Sequence, residues 1–208
     1  MADNKEEPKE EKQKQPTTLE SVVNETSQAG KGLVNTSIGT AAIGASTAFF
    51  GLDGLVTALS FPVGGVIESK LANKPFTSKN FRDEAIAGTL FTVPLWYGVN
   101  ALRSLTTSPL TVGALTFASV PLLNAIYYPL KYIVDNKTFR GLGKDFKKYY
   151  WEGTKRGLIL GVPWAGAVAA SVAYPALYPF LFPILAGFEV VYRVILSREK
   201  LNYAKLLN

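Results

Sequence analysis

The chain has 208 residues, with 22 Lys and Arg, 16 Asp and Glu, no His and no Cys. Without His or Cys it cannot form a disulfide framework, a thiolate or imidazole metal site, or a nucleophile paired with a histidine base. The chain is therefore predicted not to be an enzyme and to need neither a cofactor nor a metal.

The charged residues are gathered in short segments. Residues 1–31 have a net charge of −2, and the rest of the chain has a net charge of +8. Long uncharged runs occupy 32–52, 54–67, 85–102, 104–130 and 157–188. A soluble helix or strand needs a polar face, whereas apolar runs of roughly 18 residues or more are typical of membrane-spanning helices. The pattern predicts an all-α, polytopic membrane helix bundle.

The N-terminal region is predicted to lie outside the bundle. Residues 1–16 are charged and lack both aromatic residues and an apolar signal-peptide core, so we expect a disordered tail. Residues 17–31 begin with Thr17 and Glu20, which fit a capping box, and continue with apolar residues at helical spacing. They are predicted to form an amphipathic lead-in helix to a bundle over 32–208.

The bundle is predicted to contain six apolar segments in three hairpins, of which four to six cross the bilayer completely. Turns are expected at 51–54, 103–109 and 174–179, where Gly, Pro and Tyr residues interrupt the runs. The second segment is short and contains Pro62, so a re-entrant course is left open. The predicted segments are 32–51, 54–71, 84–102, 109–134, 157–173 and 179–197.

The distribution of Lys and Arg predicts the orientation. Islands 68–84 and 131–156 and the C-terminal tail hold 16 of these residues, and the three turns hold only Arg103. Because inner loops retain Lys and Arg, both termini are predicted on the inner side of a cell membrane or an organelle inner membrane. This bias also explains the basic pI near 9.4 without a nucleic-acid partner.

Residues 137–152 are predicted to form an amphipathic helix at the inner membrane interface, because aromatic and apolar residues recur there at helical spacing. The lysines on the same segment are predicted to face lipid, which makes anionic lipids candidate partners besides the bilayer itself. This basic patch consists of Lys144, Lys147 and Lys148. Trp151 and Trp164 are expected in the interfacial aromatic belts.

Polar residues inside the apolar segments are the candidates for a solute path. Each is costly in lipid and should face the bundle interior. Pro94 and Pro121 are expected to kink the same two segments. Interhelical hydrogen bonding is the alternative role for these side chains. The candidate path residues are Tyr97, Asn100, Asn124, Tyr127 and Tyr128.

Two acidic residues need a separate explanation. Glu189 lies in the last segment, one turn before Arg193, and a structural ion pair near the inner interface is favoured over coupling of a proton or cation. Asp53 lies between Gly51 and Gly54 and is expected to cap the first turn, although a site in an outer vestibule is left open. The small residues of the first segment, such as Ala41 and Ala45, are expected to support helix packing.

Several short motifs of the sequence resemble those of known families. The second half resembles the Mpv/PMP family of peroxisomal and inner-mitochondrial membrane proteins, through Val120–Tyr128, Tyr150–Trp151, Val162–Pro163, Tyr174–Pro175 and Ser197, with Arg82, Gly88 and Pro94 upstream. Residues 65–130 resemble the bacterial alanine exporter family, through Gly65–Glu68, Phe76, Pro94–Gly98 and Phe117–Pro121. Both resemblances imply a small helical membrane protein that affects the passage of small solutes.

Two functional hypotheses follow from the sequence. The first is a channel or transporter for a small solute of unknown identity, and association into an oligomer is compatible with it. The second is a non-transporting membrane organiser or lipid-binding protein that uses residues 137–152 and the N-terminal tail. A continuous polar cavity would favour transport, and a dry apolar core would favour the organiser.

Overall fold

The structure is a computed structural model that describes residues 18–191, and every regular element in this range is helical. The predicted all-α class is therefore confirmed for this part of the chain. The predicted disordered tail 1–16 and Arg193 lie outside the described residues. The helices are α1 (Thr18–Leu71), α2 (Ser78–Leu105), α3 (Pro109–Asn136), α4 (Leu142–Ala173) and, after a 3-10 turn over Pro175–Leu177, α5 (178–191).

Helix α1 is interrupted at Gly51, where the predicted first turn is confirmed. Gly51 has φ 60° and ψ −139°, a conformation that a residue without a Cβ adopts most readily. Eight residues of straight helix would separate Ser46 from Gly54 by about 12 Å. Instead, the Ser46 hydroxyl donates a hydrogen bond of 3.0 Å to the Gly54 carbonyl. The chain therefore reverses here, and α1 consists of a first arm (18–50) and a second arm (52–71).

Both arms of α1 pack on α2, and their common tip ends well short of the end of that helix. In the first arm, Ser46 lies 3.4 Å from the Thr92 hydroxyl, and the ring of Phe50 lies 5.4 Å from that of Trp96. Helix α2 continues for nine residues beyond Trp96 to Leu105, a distance of about 14 Å. The tip of α1 therefore lies about 14 Å short of the end of α2, and whether its arms span fully or are re-entrant stays a prediction.

The second arm approaches α2 closely because α2 has a glycine at the contact. A Cβ on Gly88 would lie 2.8 Å from the Ala58 carbonyl oxygen and 3.0 Å from the ring of Phe61. Further along the second arm, a Cβ on Gly65 would lie 2.9 Å from the ring of Phe76. Small residues of this kind allow helix backbones to come together where lipid offers no hydrophobic driving force.

Local signals in the sequence explain where α2 and α3 begin. Thr77 and Asn80 form a capping box, in which the Thr77 side chain accepts from the Asn80 backbone N–H and the Asn80 side chain accepts from the Thr77 N–H. Ser108 caps α3, and Pro109 occupies its first turn, where a missing N–H is harmless. The turn predicted at 103–109 is thus confirmed as a short connection.

Helices α3 and α4 form an antiparallel hairpin. A Cβ on Gly113 would lie 3.2 Å from Ala169, and one on Gly161 would lie 3.0 Å from Val120. Helix α4 runs without a break over 32 residues. Of the segment predicted as an interfacial helix over 137–152, the residues from Leu142 onward are helical and continue directly into the apolar part of α4, and their interfacial location stays a prediction. Backbone hydrogen bonding is maintained across the boundary between charged and apolar sequence, so that boundary does not end the helix.

The main apolar core joins α2, α3, α4 and α5. Its buried side chains are Leu95, Val99, Val112, Val168, Leu181, Phe182 and Leu185. Arg103 lies at the end of this core that is next to the turn between α2 and α3. Its guanidinium donates to the Ser171 carbonyl at 3.5 Å, near the C-terminus of α4, and lies 4.0 Å from the ring centre of Tyr178. A cation in this position complements the carbonyls at the end of α4.

The outer surface of the described bundle is rich in exposed apolar side chains. Phe49 is 83% exposed, Leu110 is 84% exposed and Ile159 is 74% exposed. Three helices are long and apolar enough to cross a membrane, namely Asn24–Leu71, counted through the reversal at Gly51, Ser78–Leu105 and Pro109–Val134. Apolar surface of this extent is typical of contact with lipid or another protein rather than water.

Candidate functional site

A cavity of about 90 Å³ lies between the second arm of α1 and helices α2, α3, α4 and α5. A cavity needs only about 10–15 Å³ to hold one water molecule, so this volume admits water. Every helix contributes to its walls. The residues that line this central cavity are Thr57, Ser60, Phe61, Phe91, Leu95, Val120, Leu123, Asn124, Tyr127, Tyr128, Gly157, Trp164, Leu185, Ala186, Phe188 and Glu189.

Aromatic rings from three helices form one wall of the central cavity. Phe61 of the second arm lies 5.6 Å from Phe91 of α2 and 5.9 Å from Tyr127 of α3, and the last two rings are 5.4 Å apart. Tyr128 continues the cluster at 5.5 Å from Tyr127. Tilted and edge-to-face rings at these distances attract one another, so these contacts stabilise the wall.

Two polar atoms at the central cavity are buried without a hydrogen-bond partner. They are the hydroxyl oxygen of Thr57 and the indole nitrogen of Trp164. The Thr57 residue is only 3% exposed. An unsatisfied buried polar group costs about 1–3 kcal/mol. Both residues line the cavity, but these two atoms themselves are inaccessible to solvent.

An amide and a carboxylate complete the polar lining. The Asn124 side chain donates to the hydroxyl of Thr154 at 3.4 Å. Glu189 of α5 also lines the central cavity and makes polar contact within the protein. It is the only charged side chain among the described residues that line this cavity.

Three of the five predicted path residues meet at the central cavity, and two lie elsewhere. Asn124, Tyr127 and Tyr128 line it. Tyr97 is 60% exposed and packs edge-on against Trp96. Asn100 accepts a hydrogen bond of 3.0 Å from the Tyr178 hydroxyl and donates one of 2.9 Å to the Trp96 carbonyl. Asn100 therefore connects α2 to the first residue of α5.

Sequence reasoning missed Thr57, Ser60 and Trp164 as lining residues. Trp164 was expected in an interfacial belt, but the structure directs its indole nitrogen into the bundle. A signal for the other two existed, because Thr57 and Ser60 lie one helical turn apart within an apolar run. Intramembrane hydroxyls so spaced share a face and indicate an interior position.

A buried acid at the opposite end of the bundle from Arg103 was also missed. Asp83 is 6% exposed and contacts Arg82 at 2.7 Å and Lys137 at 3.3 Å. Arg82 in turn donates to the side chain of Asn35 at 2.7 Å. This charged cluster connects the first arm, α2 and the end of α3. In the sequence, Asp83 is adjacent to a charged loop and is indistinguishable from a solvated loop residue.

Asp53 lies at the tip of α1 beside the side chain of Trp96. This contact was not predicted, and it fixes the tip to the middle of α2.

The remaining predicted site residues are described only in part. Lys147 is exposed on α4, and Lys144 and Lys148 are on the same helix, but their side chains lie outside the described part of the structure. The expected ion pair between Glu189 and Arg193 also involves a residue outside it. Both assignments therefore stay predictions.

No protein-family model, curated protein or solved structure matches this chain. The resemblances to the Mpv/PMP family and to the bacterial alanine exporter family consequently also stay predictions.

Proposed function

We propose that this protein is a multi-pass integral membrane protein that conducts or transports a small solute, and that the central cavity is its solute-binding site. The observation that carries this proposal is the cavity itself. It has aromatic walls, a few convergent polar groups and two buried polar atoms without partners. Binding sites for small molecules combine an apolar lining with a few orienting polar groups in the same way.

The arrangement of helices around the central cavity supports a transporter. Residues 18–105 provide three helical segments, the two arms of α1 and helix α2, and residues 109–191 provide α3, α4 and α5. Each set contains three segments, and a short turn joins α2 to α3. The second set therefore starts at the opposite end of the bundle from the first, and its segments run in the opposite directions. Transporters built from inverted halves bind their solute where the halves meet.

The orientation proposed for the protein has both termini on the inner side. The support is the concentration of Lys and Arg in 68–84, 131–156 and the C-terminal tail. In this orientation the charged cluster around Asp83 lies at the inner end and Arg103 at the outer end. The two arms of α1 enter from the inner side and return to it.

Transport is tested by reconstituting the full chain into liposomes and following the entry of isotopically labelled polyols, amino acids and amines. Ala186 lines the central cavity, and Ala186→Phe should abolish the flux because the ring fills the space. Ala48→Phe adds the same ring to the exposed face of the first arm and serves as the control, with the flux unchanged.

Two results would contradict transport. One is the absence of flux for every solute in the panel from correctly folded protein. The other is a flux that Ala186→Phe and Ala48→Phe reduce equally. Either result would favour the non-transporting membrane organiser.

A further inference from the structure

Helix α2 has a charged side chain near each end, and both side chains reach the other half of the bundle. Asp83 contacts Lys137, the residue that caps the C-terminus of α3, at 3.3 Å. Arg103 donates to the Ser171 carbonyl of α4 at 3.5 Å and lies 4.0 Å from the ring centre of Tyr178 at the start of α5. In the proposed orientation, the contact of Asp83 with Lys137 is the inner link, and the contact of Arg103 with Ser171 and Tyr178 is the outer link.

The central cavity lies midway between the two links. On α2 it is lined by Phe91 and Leu95. Phe91 follows Asp83 by eight residues, and Arg103 follows Leu95 by eight residues, so each link lies about 12 Å along the helix from the cavity. A solute that enters or leaves along the axis of the bundle therefore passes the level of one of the links.

Between the links, residues 18–105 and 109–191 meet at the aromatic wall of the central cavity. Phe61 and Phe91 of the first half lie 5.9 Å and 5.4 Å from the ring of Tyr127 in the second half. Aromatic pairs attract one another over centroid distances of about 4.5–7 Å, so this contact can persist while the halves tilt against each other. A tilt about this wall that separates the halves at one end brings them together at the other end.

Each link can open without leaving a buried charge alone. Lys137 has 54% of its side chain exposed, so water competes with Asp83 for its ammonium group. When Lys137 departs, Asp83 keeps Arg82 as a partner at 2.7 Å. In the outer link, Nε of Arg103 is buried without a hydrogen-bond partner. Burial of this donor costs free energy, which is recovered when opening of the link brings water to it.

We propose that the inner link and the outer link are the two gates of the central cavity, and that the halves open one gate while the other stays closed. The structure has both links formed and corresponds to the occluded state. Arg103 and Lys137 are positioning residues that control access to the cavity. This inference rests on the proposed function and adds to it the way in which the solute site is opened to each side, as in transporters whose halves rock around a fixed site.

Access to the central cavity can be measured with a single thiol. The chain has no Cys, and Ala186 lines the cavity, so Ala186→Cys places one reactive group in its wall. A membrane-impermeant thiol reagent is applied to intact cells for the outer side and to inside-out vesicles for the inner side. The two labelling rates report the populations of the outward-open and inward-open states.

The outer gate is tested with Arg103→Gln in the Ala186→Cys background. Removal of the cation weakens the contacts with Ser171 and Tyr178, so the outward-open population should rise. We expect labelling from the outer side to become roughly tenfold faster and labelling from the inner side to become slower. Ser104→Ala, at the next and exposed position on α2, is the matched control and should change neither rate.

The inner gate is tested with Lys137→Gln in the same background. We expect the opposite result, with labelling roughly tenfold faster from the inner side and slower from the outer side. The fold should be retained, because Asp83 still contacts Arg82. Arg140→Gln removes a charge from an exposed position in the same connection between α3 and α4, and it should change neither rate.

A purely structural role for the two links predicts a different result. A bundle that is merely loosened would be labelled faster from both sides in both variants, because its halves would no longer exclude each other's opening. That outcome, or unchanged rates in both variants, would overturn the proposal. Reciprocal changes on the two sides would support it, since a two-state equilibrium can populate one state only at the expense of the other.

The failure of this inference can be told apart from the failure of the proposed function. If a solute crosses the liposome membrane and Ala186→Phe blocks it, but the labelling rates do not change reciprocally, the proposed function stands and the assignment of the gates is wrong. If the labelling rates change reciprocally but no solute in the panel crosses, the two-sided opening is supported and transport is contradicted.

Discussion

Replacing Gly54 with Ala is expected to lower the free energy of unfolding by about 2 kcal/mol. A Cβ at this position would collide with the carbonyl oxygen of Ser46 and would lie 2.9 Å from the Cβ of Phe50. The two arms of α1 would have to move apart to admit it. Overpacking costs about 1–3 kcal/mol, with the upper end appropriate when the obstacle is backbone, and Ala in place of a helical Gly recovers about 1 kcal/mol.

The matched control is Gly44→Ala in the first arm of the same helix. A Cβ there would have no neighbour within 4 Å, so only the helix-forming gain of up to about 1 kcal/mol is expected. The two variants should therefore differ by about 3 kcal/mol, or roughly 150-fold in the folding equilibrium. Titration of the detergent-solubilised protein with dodecyl sulfate, followed by tryptophan fluorescence, measures both. If both variants shift equally in the same direction, the chain does not reverse at Gly51.

Asp83→Asn should lower the free energy of unfolding by about 2 kcal/mol, because it removes the buried charge that Arg82 and the half-exposed Lys137 contact. A loss below about 1 kcal/mol in the same titration would contradict the charged cluster. Asn100→Leu should cost only about 0.6 kcal/mol and leave flux per folded molecule unchanged, whereas altered solute selectivity would place Asn100 on the path. With an impermeant thiol reagent applied to intact cells, Thr106→Cys should be labelled and Asp145→Cys should not, and the reverse pattern would refute the orientation.

Local chemistry made the chain reversals predictable. Gly51 and Pro109 lie at or beside the positions where the backbone leaves the helix, and each residue has a stereochemical reason to be there. Pro62 does not interrupt the second arm, since α1 stays helical through this residue. A proline in a membrane helix is tolerated when neighbouring groups satisfy the freed carbonyl.

The cavity could not be predicted in full because helical periodicity gives spacing along a helix but not the rotation of one helix against its neighbour. Asn100 and Asn124 were grouped because both are amides within apolar segments. In the structure Asn100 faces Tyr178, and Asn124 faces Thr154 and the central cavity. The sequence also could not show how far the tip of α1 reaches along α2, because this depends on contacts between residues distant in sequence, such as Ser46 and Thr92.

The short reach of α1 has a mechanical consequence for the bilayer. In the proposed orientation its two arms would fill cross-section in the inner leaflet but stop about 14 Å before the end of α2, which would make the inner half of this part of the bundle wider than the outer half. Lipids above the tip would then lie near the polar side chain of Asp53, and the outer leaflet would thin or admit water there. Membranes that are thin or bent towards the inner side should accommodate this shape at the lowest elastic cost.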